Sequence, residues 1–175
     1  MRLNAKQILE RGIITGEITN DQIAQVGIDL RVIEIERVFG GGVIPREGKT
    51  LLAKREKVKR QSPTEVKSLG LTGAVWMLEP GVYDITFAEG CDMAPNVSGR
   101  IIHRSSLLRN GGILRSGEFD PGFSTKNIGA VMTINIPMLI EFKARLGQFI
   151  VDENEPVNPE DLYNGQWQGD KQRKS

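Results

Sequence analysis

The run Ile28-Asp29-Leu30-Arg31-Val32-Ile33-Glu34-Ile35-Glu36-Arg37-Val38 constrains the fold most, because apolar and polar residues alternate over most of its length. A period of two belongs to a strand with one buried face. Gly40-Gly41-Gly42 then stops it. The same texture returns along the chain. Val75-Trp76-Met77-Leu78 enters the turn Glu79-Pro80-Gly81, and Val82 to Phe87 alternates again. Ile101-Ile102, Ala130 to Ile136, Met138 to Phe142 and Phe149-Ile150-Val151 are further strand candidates. Short strands broken by Gly and Pro predict an all-β chain, built as a sandwich, barrel or jelly roll. One short helix is expected at the N-terminus. Asn4 caps it, Gln7 completes a capping box and Gly12 ends it.

The 175 residues suit one core. A β body is expected over 1–151, followed by a separate C-terminal segment over 152–175. A net charge of +1 supplies no field to recruit nucleic acid or an anionic membrane. No apolar run approaches a membrane span, and Met1 to Lys6 lacks the apolar core of a signal peptide. With the single cysteine Cys91, these features point to the cytoplasm. One cysteine and one histidine, His103, also exclude a zinc site made of Cys and His ligands. A Ser-His-Asp triad would need His103 beside Ser105, a poor geometry on an extended strand.

Three groups of residues carry possible chemistry. Arg104-Ser105-Ser106-Leu107-Leu108-Arg109 is a cationic, hydroxyl-rich turn suited to a polyanion, or simply a surface turn. Asp120, in Glu118-Phe119-Asp120-Pro121-Gly122, is either a turn-forming aspartate or a base that directs water. Extended backbone here would place Glu118 and Asp120 on one face. Asp29 interrupts an apolar run, where a charge needs a partner or a role. Two other segments are ambiguous. The basic run Lys54 to Arg60 is a solvated face or a ligand site. The polar C-terminal stretch, with Tyr163 and Trp167, is a disordered tail or a docking segment.

The ordered set Val26-Gly27-Ile28-Asp29-Leu30-Arg31, Arg104-Ser105-Ser106-Leu107 and Gly117-Glu118-Phe119-Asp120-Pro121-Gly122-Phe123 resembles the successive motifs of the dUTPase and dCTP deaminase superfamily. Tyr163-Asn164-Gly165-Gln166-Trp167-Gln168-Gly169 is similar to the C-terminal segment of archaeal and deaminase-like members. The resemblance implies a distorted β jelly roll assembled as a homotrimer, with active sites between subunits. It implies a deoxynucleoside triphosphate substrate, dUTP or dCTP, and Mg²⁺. Carried over by motif, Arg104, Ser105, Ser106, Arg109 and Lys171 would hold phosphates. Gly117, Glu118, Phe119, Phe123 and Trp167 would surround the base and sugar, and the C-terminal segment, 152–175, would close over the nucleotide. Asp120 would direct the attacking water, and Asp29 would face the metal through water.

The superfamily holds two reactions. Deaminases resemble one another in a glutamate on the strand after the Asp-Pro-Gly turn. Here that strand reads Gly129-Ala130-Val131-Met132-Thr133-Ile134-Asn135-Ile136, without a carboxylate. The expected activity is therefore hydrolysis of dUTP to dUMP and pyrophosphate. dCTP deamination with Glu118 as a substitute base, alone or joined to hydrolysis so that dCTP yields dUTP or dUMP, and nucleotide binding without turnover are the alternatives. Ser124-Thr125-Lys126-Asn127 lengthens the link after the turn.

Overall fold

The computed structural model describes residues 1–62 and 69–169. The expected helix α1 spans Ala5–Glu10. The Asn4 side chain accepts from the Gln7 backbone N–H at 3.0 Å, and the Gln7 side chain accepts from the Asn4 N–H at 2.9 Å. Two of the helix's four unpaired N-terminal groups are met in this way.

The body is β. Twelve strands follow in chain order: β1 (Ile14–Thr15), β2 (Ile28–Phe39), β3 (Lys54–Lys57), β4 (Val75–Leu78), β5 (Gly81–Phe87), β6 (Gly90–Asp92), β7 (Val97–His103), β8 (Gly112–Arg115), β9 (Ser124–Thr125), β10 (Gly129–Ile134), β11 (Met138–Glu141) and β12 (Arg145–Glu153). The main sheet has the order β7-β12-β2-β5-β10-β8, with β3 also paired to β2. β1-β6-β9 and β11-β4 form two smaller sheets. Among the described residues, every pairing between these strands is antiparallel. This is the all-β jelly-roll architecture that the punctuated strand pattern predicts.

β2 organises the sheet. Its first half pairs with β12, from Phe149↔Ile28 to Arg145↔Arg31. Its second half pairs with β5, from Val32↔Phe87 to Arg37↔Tyr83. Both ladders shift register, one between Arg145 and Gly147 and the other between Val32 and Glu34. Such irregularities bend a strand and re-aim its side chains. The apolar positions of β2, β5 and β12 meet in one core that includes Leu30, Ile35, Tyr83, Phe87 and Phe149. Gly27, at the entry to β2, has no room for a side chain: a Cβ there would lie 2.6 Å from the Phe149 carbonyl oxygen.

A buried polar knot fixes the start of β2. Glu89 is fully buried. Its carboxylate accepts from the Arg31 backbone N–H at 2.9 Å, from Arg31 Nε at 2.8 Å and from Gln22 Nε2 at 2.8 Å. Gln22 Nε2 also donates to the Asp29 carbonyl at 2.8 Å. Every oxygen of the knot is engaged, as burial of a charge requires.

Two details differ from the sequence reading, and one agrees with the solvated-face reading of the basic run. Ser105–Arg109 forms a short helix, α2, and not a turn. The basic run becomes the exposed edge strand β3, whose Lys57 pairs with Glu34 at 2.7 Å and whose Arg55 pairs with Asp84. Lysine-rich edges discourage pairing with other chains. Finally, β12 continues to Glu153, past the boundary expected after residue 151. Residues 1–3 pair with its end: Met1 N donates to the Glu153 carbonyl at 2.9 Å, and Arg2 meets Asp152 with two bonds of 3.0 Å.

Candidate active site

The sheet register assembles the first half of the site. Asp29 on β2 lies opposite Gln148 on β12, and Gln148 lies opposite Ile102 on β7. Beyond Ile102 the chain reaches Arg104, the N-cap of α2, whose N–H donates to the Leu146 carbonyl at 2.9 Å. Arg104 Nε stands 3.1 Å from Asp29 Oδ2. Arg145 Nη1 lies 3.7 Å from the same oxygen, and Gln148 Nε2 donates to Asp29 Oδ1 at 3.4 Å. The register shift at Arg145 falls where its guanidinium turns toward Asp29.

The Asp29 side chain is only 7% exposed, whereas Arg104 retains 33%. Burial pushes the Asp29 carboxyl above the usual carboxylate range, against the downward pull of Arg104, then of Arg145 and the Gln148 hydrogen bond. Asp29 therefore holds Arg104 in place from beneath and leaves part of its guanidinium facing solvent. A pocket of about 260 Å³ opens there, lined by Ile102, His103, Arg104, Ser105 and Gln148. Ser105, Ser106 and Arg109 are exposed on α2, and Leu107 anchors that helix in the core. The donor set suits an anion with several oxygens.

These residues also bear on magnesium. Both Asp29 oxygens face nitrogen donors of the chain. No group of three or more His, Cys, Asp or Glu side chains is gathered for a metal among the described residues. Asp29 is thus occupied by the chain's own donors, and these residues form no carboxylate cage for a metal ion.

The second half is the Asp120 turn. Phe119 exchanges backbone bonds of 2.7 and 3.0 Å with Gly99 of β7. The Phe123 N–H donates to the Asp120 carbonyl at 3.0 Å, with Pro121 and Gly122 between them. Gly122 has φ +85°, which suits the third position of a type II turn. Met93 fixes the turn through two backbone bonds of 2.9 Å, with Gly122 and Phe123. Glu118 and Asp120 are exposed and Phe119 between them is buried, as alternation on an extended segment requires. Glu118 sits 3.9 Å from Arg100.

Phe119 is a core residue. Its ring packs at 5.4 Å on Phe149 and at 5.5 Å on Phe123. It can line a base pocket only through its backbone. Phe123 is half-buried and meets Tyr163 edge-on at 5.4 Å. The C-terminal segment thus docks on the turn of its own chain. Trp167 is half-buried, with its N–H donating to the Tyr163 hydroxyl at 3.1 Å. Gly117 is exposed, and Lys171 lies outside the described residues.

The two halves are spaced apart along the chain. Phe119 pairs at Gly99, and Arg104 lies five residues on, just past the end of β7, about 17 Å away at the rise of an extended strand. Sequence reasoning missed Arg145 and Gln148. Their signal was a pair of polar residues breaking an apolar run at 144–151.

The chain is thus an all-β jelly roll that carries a cationic cluster and, apart from it, an aspartate turn. The dCTP deaminase-like family profile matches residues 3–154, and the chain belongs to that family. A probable deoxyuridine 5'-triphosphate nucleotidohydrolase of Aeropyrum pernix is 30% identical over 97% of this chain and 99% of its own length. A deoxyuridine 5'-triphosphate nucleotidohydrolase of Methanocaldococcus jannaschii is 32% identical over 87% of this chain and 90% of its own. In fold, the chain is similar to the 2'-deoxycytidine 5'-triphosphate deaminase of Agrobacterium tumefaciens, with a TM-score of 0.62 and 14% identity. That match covers 86% of this chain and 47% of the deaminase.

Proposed function

We propose that the protein is a dUTP diphosphatase that converts dUTP and water to dUMP and pyrophosphate. Asp120 carries this reading. Its carboxylate is exposed on a turn fixed through Gly99, Met93 and its own closing bond. A base so placed directs a water molecule at the α-phosphorus. The new P–O bond forms as the bond to the bridging oxygen breaks, pyrophosphate leaves, and the water proton passes to Asp120 or to solvent. Arg104, Ser105, Ser106 and Arg109 offset charge on the phosphate oxygens, with Gln148 beside them. Mg²⁺ carried by the triphosphate supplies further charge neutralisation.

The spacing of about 17 Å along the chain between the Phe119–Gly99 bridge and Arg104 supports a site shared between subunits: the Asp120 turn from one and the Arg104 cluster from another. A homotrimer is the assembly proposed. A cytoplasmic setting agrees with the one buried thiol, Cys91.

Membership in a dCTP deaminase-like family favours deamination as the second reading. β10 argues against it. Ala130 and Met132 are buried in the core, and Asn135, just beyond the strand, donates its side-chain amide to the Gly111 carbonyl at 2.9 Å. None of the three can shuttle protons. One assay separates the readings: each deoxynucleoside triphosphate is incubated with protein and Mg²⁺ while pyrophosphate and ammonia are measured together. Pyrophosphate from dUTP alone is expected. Ammonia from dCTP would establish the deaminase, and neither product from any substrate would reject both.

A further inference from the structure

The C-terminal segment reaches the Asp120 turn along a defined path. Asn154 N–H donates to the Asn96 carbonyl at 2.8 Å, Val157 N–H to the Pro95 carbonyl at 2.9 Å and Tyr163 N–H to the Pro121 carbonyl at 2.9 Å. The last contact of the path is of a different kind. Gln168 Oε1 accepts from the Ser124 N–H at 3.0 Å, and Gln168 Nε2 donates to the Gly122 carbonyl at 2.8 Å. One amide thus pairs with the backbone on both sides of Phe123, as a neighbouring strand would. Gly122 already gives its N–H to Met93, so the Gln168 bond makes the second attachment of the same residue. Leu162 presses on the turn as well: a Cβ on Gly122 would stand 2.9 Å from the Leu162 Cβ. Ser124, the other partner, begins the lengthened link after the turn.

We propose that Gln168 is a positioning residue for Asp120. Its amide clamps the Gly122–Ser124 backbone and so sets the turn that carries Asp120. The effect on turnover rests on the catalytic reading of Asp120 given above. The clamp itself does not, because both bonds run to backbone atoms of the same chain. A loosened turn costs rate more than affinity, since small misplacements of a reacting group are expensive in the transition state.

The test uses the full chain with Gln168→Ala and Gln168→Glu. Glutamate can still accept from Ser124 but cannot donate to Gly122, so it keeps one bond of the two. Hydrogen exchange at the Ser124 amide is measured without nucleotide, and kcat and KM for dUTP are measured separately. Protection at Ser124 is expected to be lost in Gln168→Ala and retained in Asp120→Asn. In Gln168→Ala, kcat is expected to fall by about tenfold or more while KM moves less than about threefold, with Gln168→Glu between it and the parent protein. Unchanged Ser124 exchange in Gln168→Ala would overturn the clamp. A rise in KM with kcat intact would overturn the positioning role and make the segment a binding contact only. If no dUTP is turned over by the parent protein, the proposed function fails, and Ser124 exchange alone still decides the clamp.

Discussion

Asp29 and Asp120 are carboxylates put to opposite uses by their surroundings. Asp29 is buried, raised by desolvation and faced by two guanidinium groups and an amide. Its chemistry is to hold Arg104. Asp120 is exposed, and no side-chain partner of it is found among the described residues, which leaves its oxygens free for water. Asp120→Asn is therefore expected to lower kcat for dUTP by about 10² to 10⁴-fold, the range of a lost general base. Thermal unfolding should be unchanged, because no packed contact is removed. Activity within twofold of the parent protein would dismiss Asp120. Both aspartates were legible in the sequence, because an acid in an apolar run and an acid before Pro-Gly each ask for an explanation. Arg145 and Gln148 were not legible. Only the β2–β12 register brings them to Asp29, and pairing partners are not written in either strand alone.

At the level of elements, the strands found in advance were those with their own periodicity, such as β2 and β5, or with an unbroken apolar run before a turn, as in β4. β7 showed only Ile101-Ile102, since Gly99 stands at one of its inward positions and weakens the alternation. β1, β6 and β9 have two or three residues each and owe their form to their partners. α2 was read as a turn because five residues hold too little helical pattern. Junctions between elements carry much of the stability. Glu89→Ala would leave Arg31 and Gln22 without their buried acceptor, at a cost of about 3 kcal/mol or more. Chemical denaturation would show it as a lower midpoint, and an unchanged midpoint would refute the role of the knot.

The N-terminal pairing is weaker and depends on pH. Two hydrogen bonds from Arg2 hold the Asp152 carboxyl below the usual range. An acid lowered in the folded state stabilises the fold above its unfolded value, about 4, and loses that contribution as pH falls through the lower folded value. Arg2→Ala should thus destabilise by less than about 1 kcal/mol at pH 7, since the pair is largely exposed. The difference from the parent protein should shrink as the pH falls below 4. A difference that grows in acid would contradict the assignment.

At the scale of the whole molecule, the two candidate clusters stand at different places along β7. The sheet builds an anion cluster at the end of β7, and the Phe119–Gly99 bridge holds the Asp120 turn back along the same strand. The family resemblance anticipated sites between subunits, and the spacing along β7 gives that expectation a physical reason. Subunit mixing tests it most directly. Asp120→Asn and Arg104→Ala chains, each inactive alone, are unfolded together in equal amounts, refolded, and assayed for pyrophosphate from dUTP. Random assembly pairs an intact Arg104 cluster with an intact Asp120 turn at about one interface in four, so about a quarter of the parent activity should return. No recovery from mixed assemblies that form normally would contradict a site shared between chains.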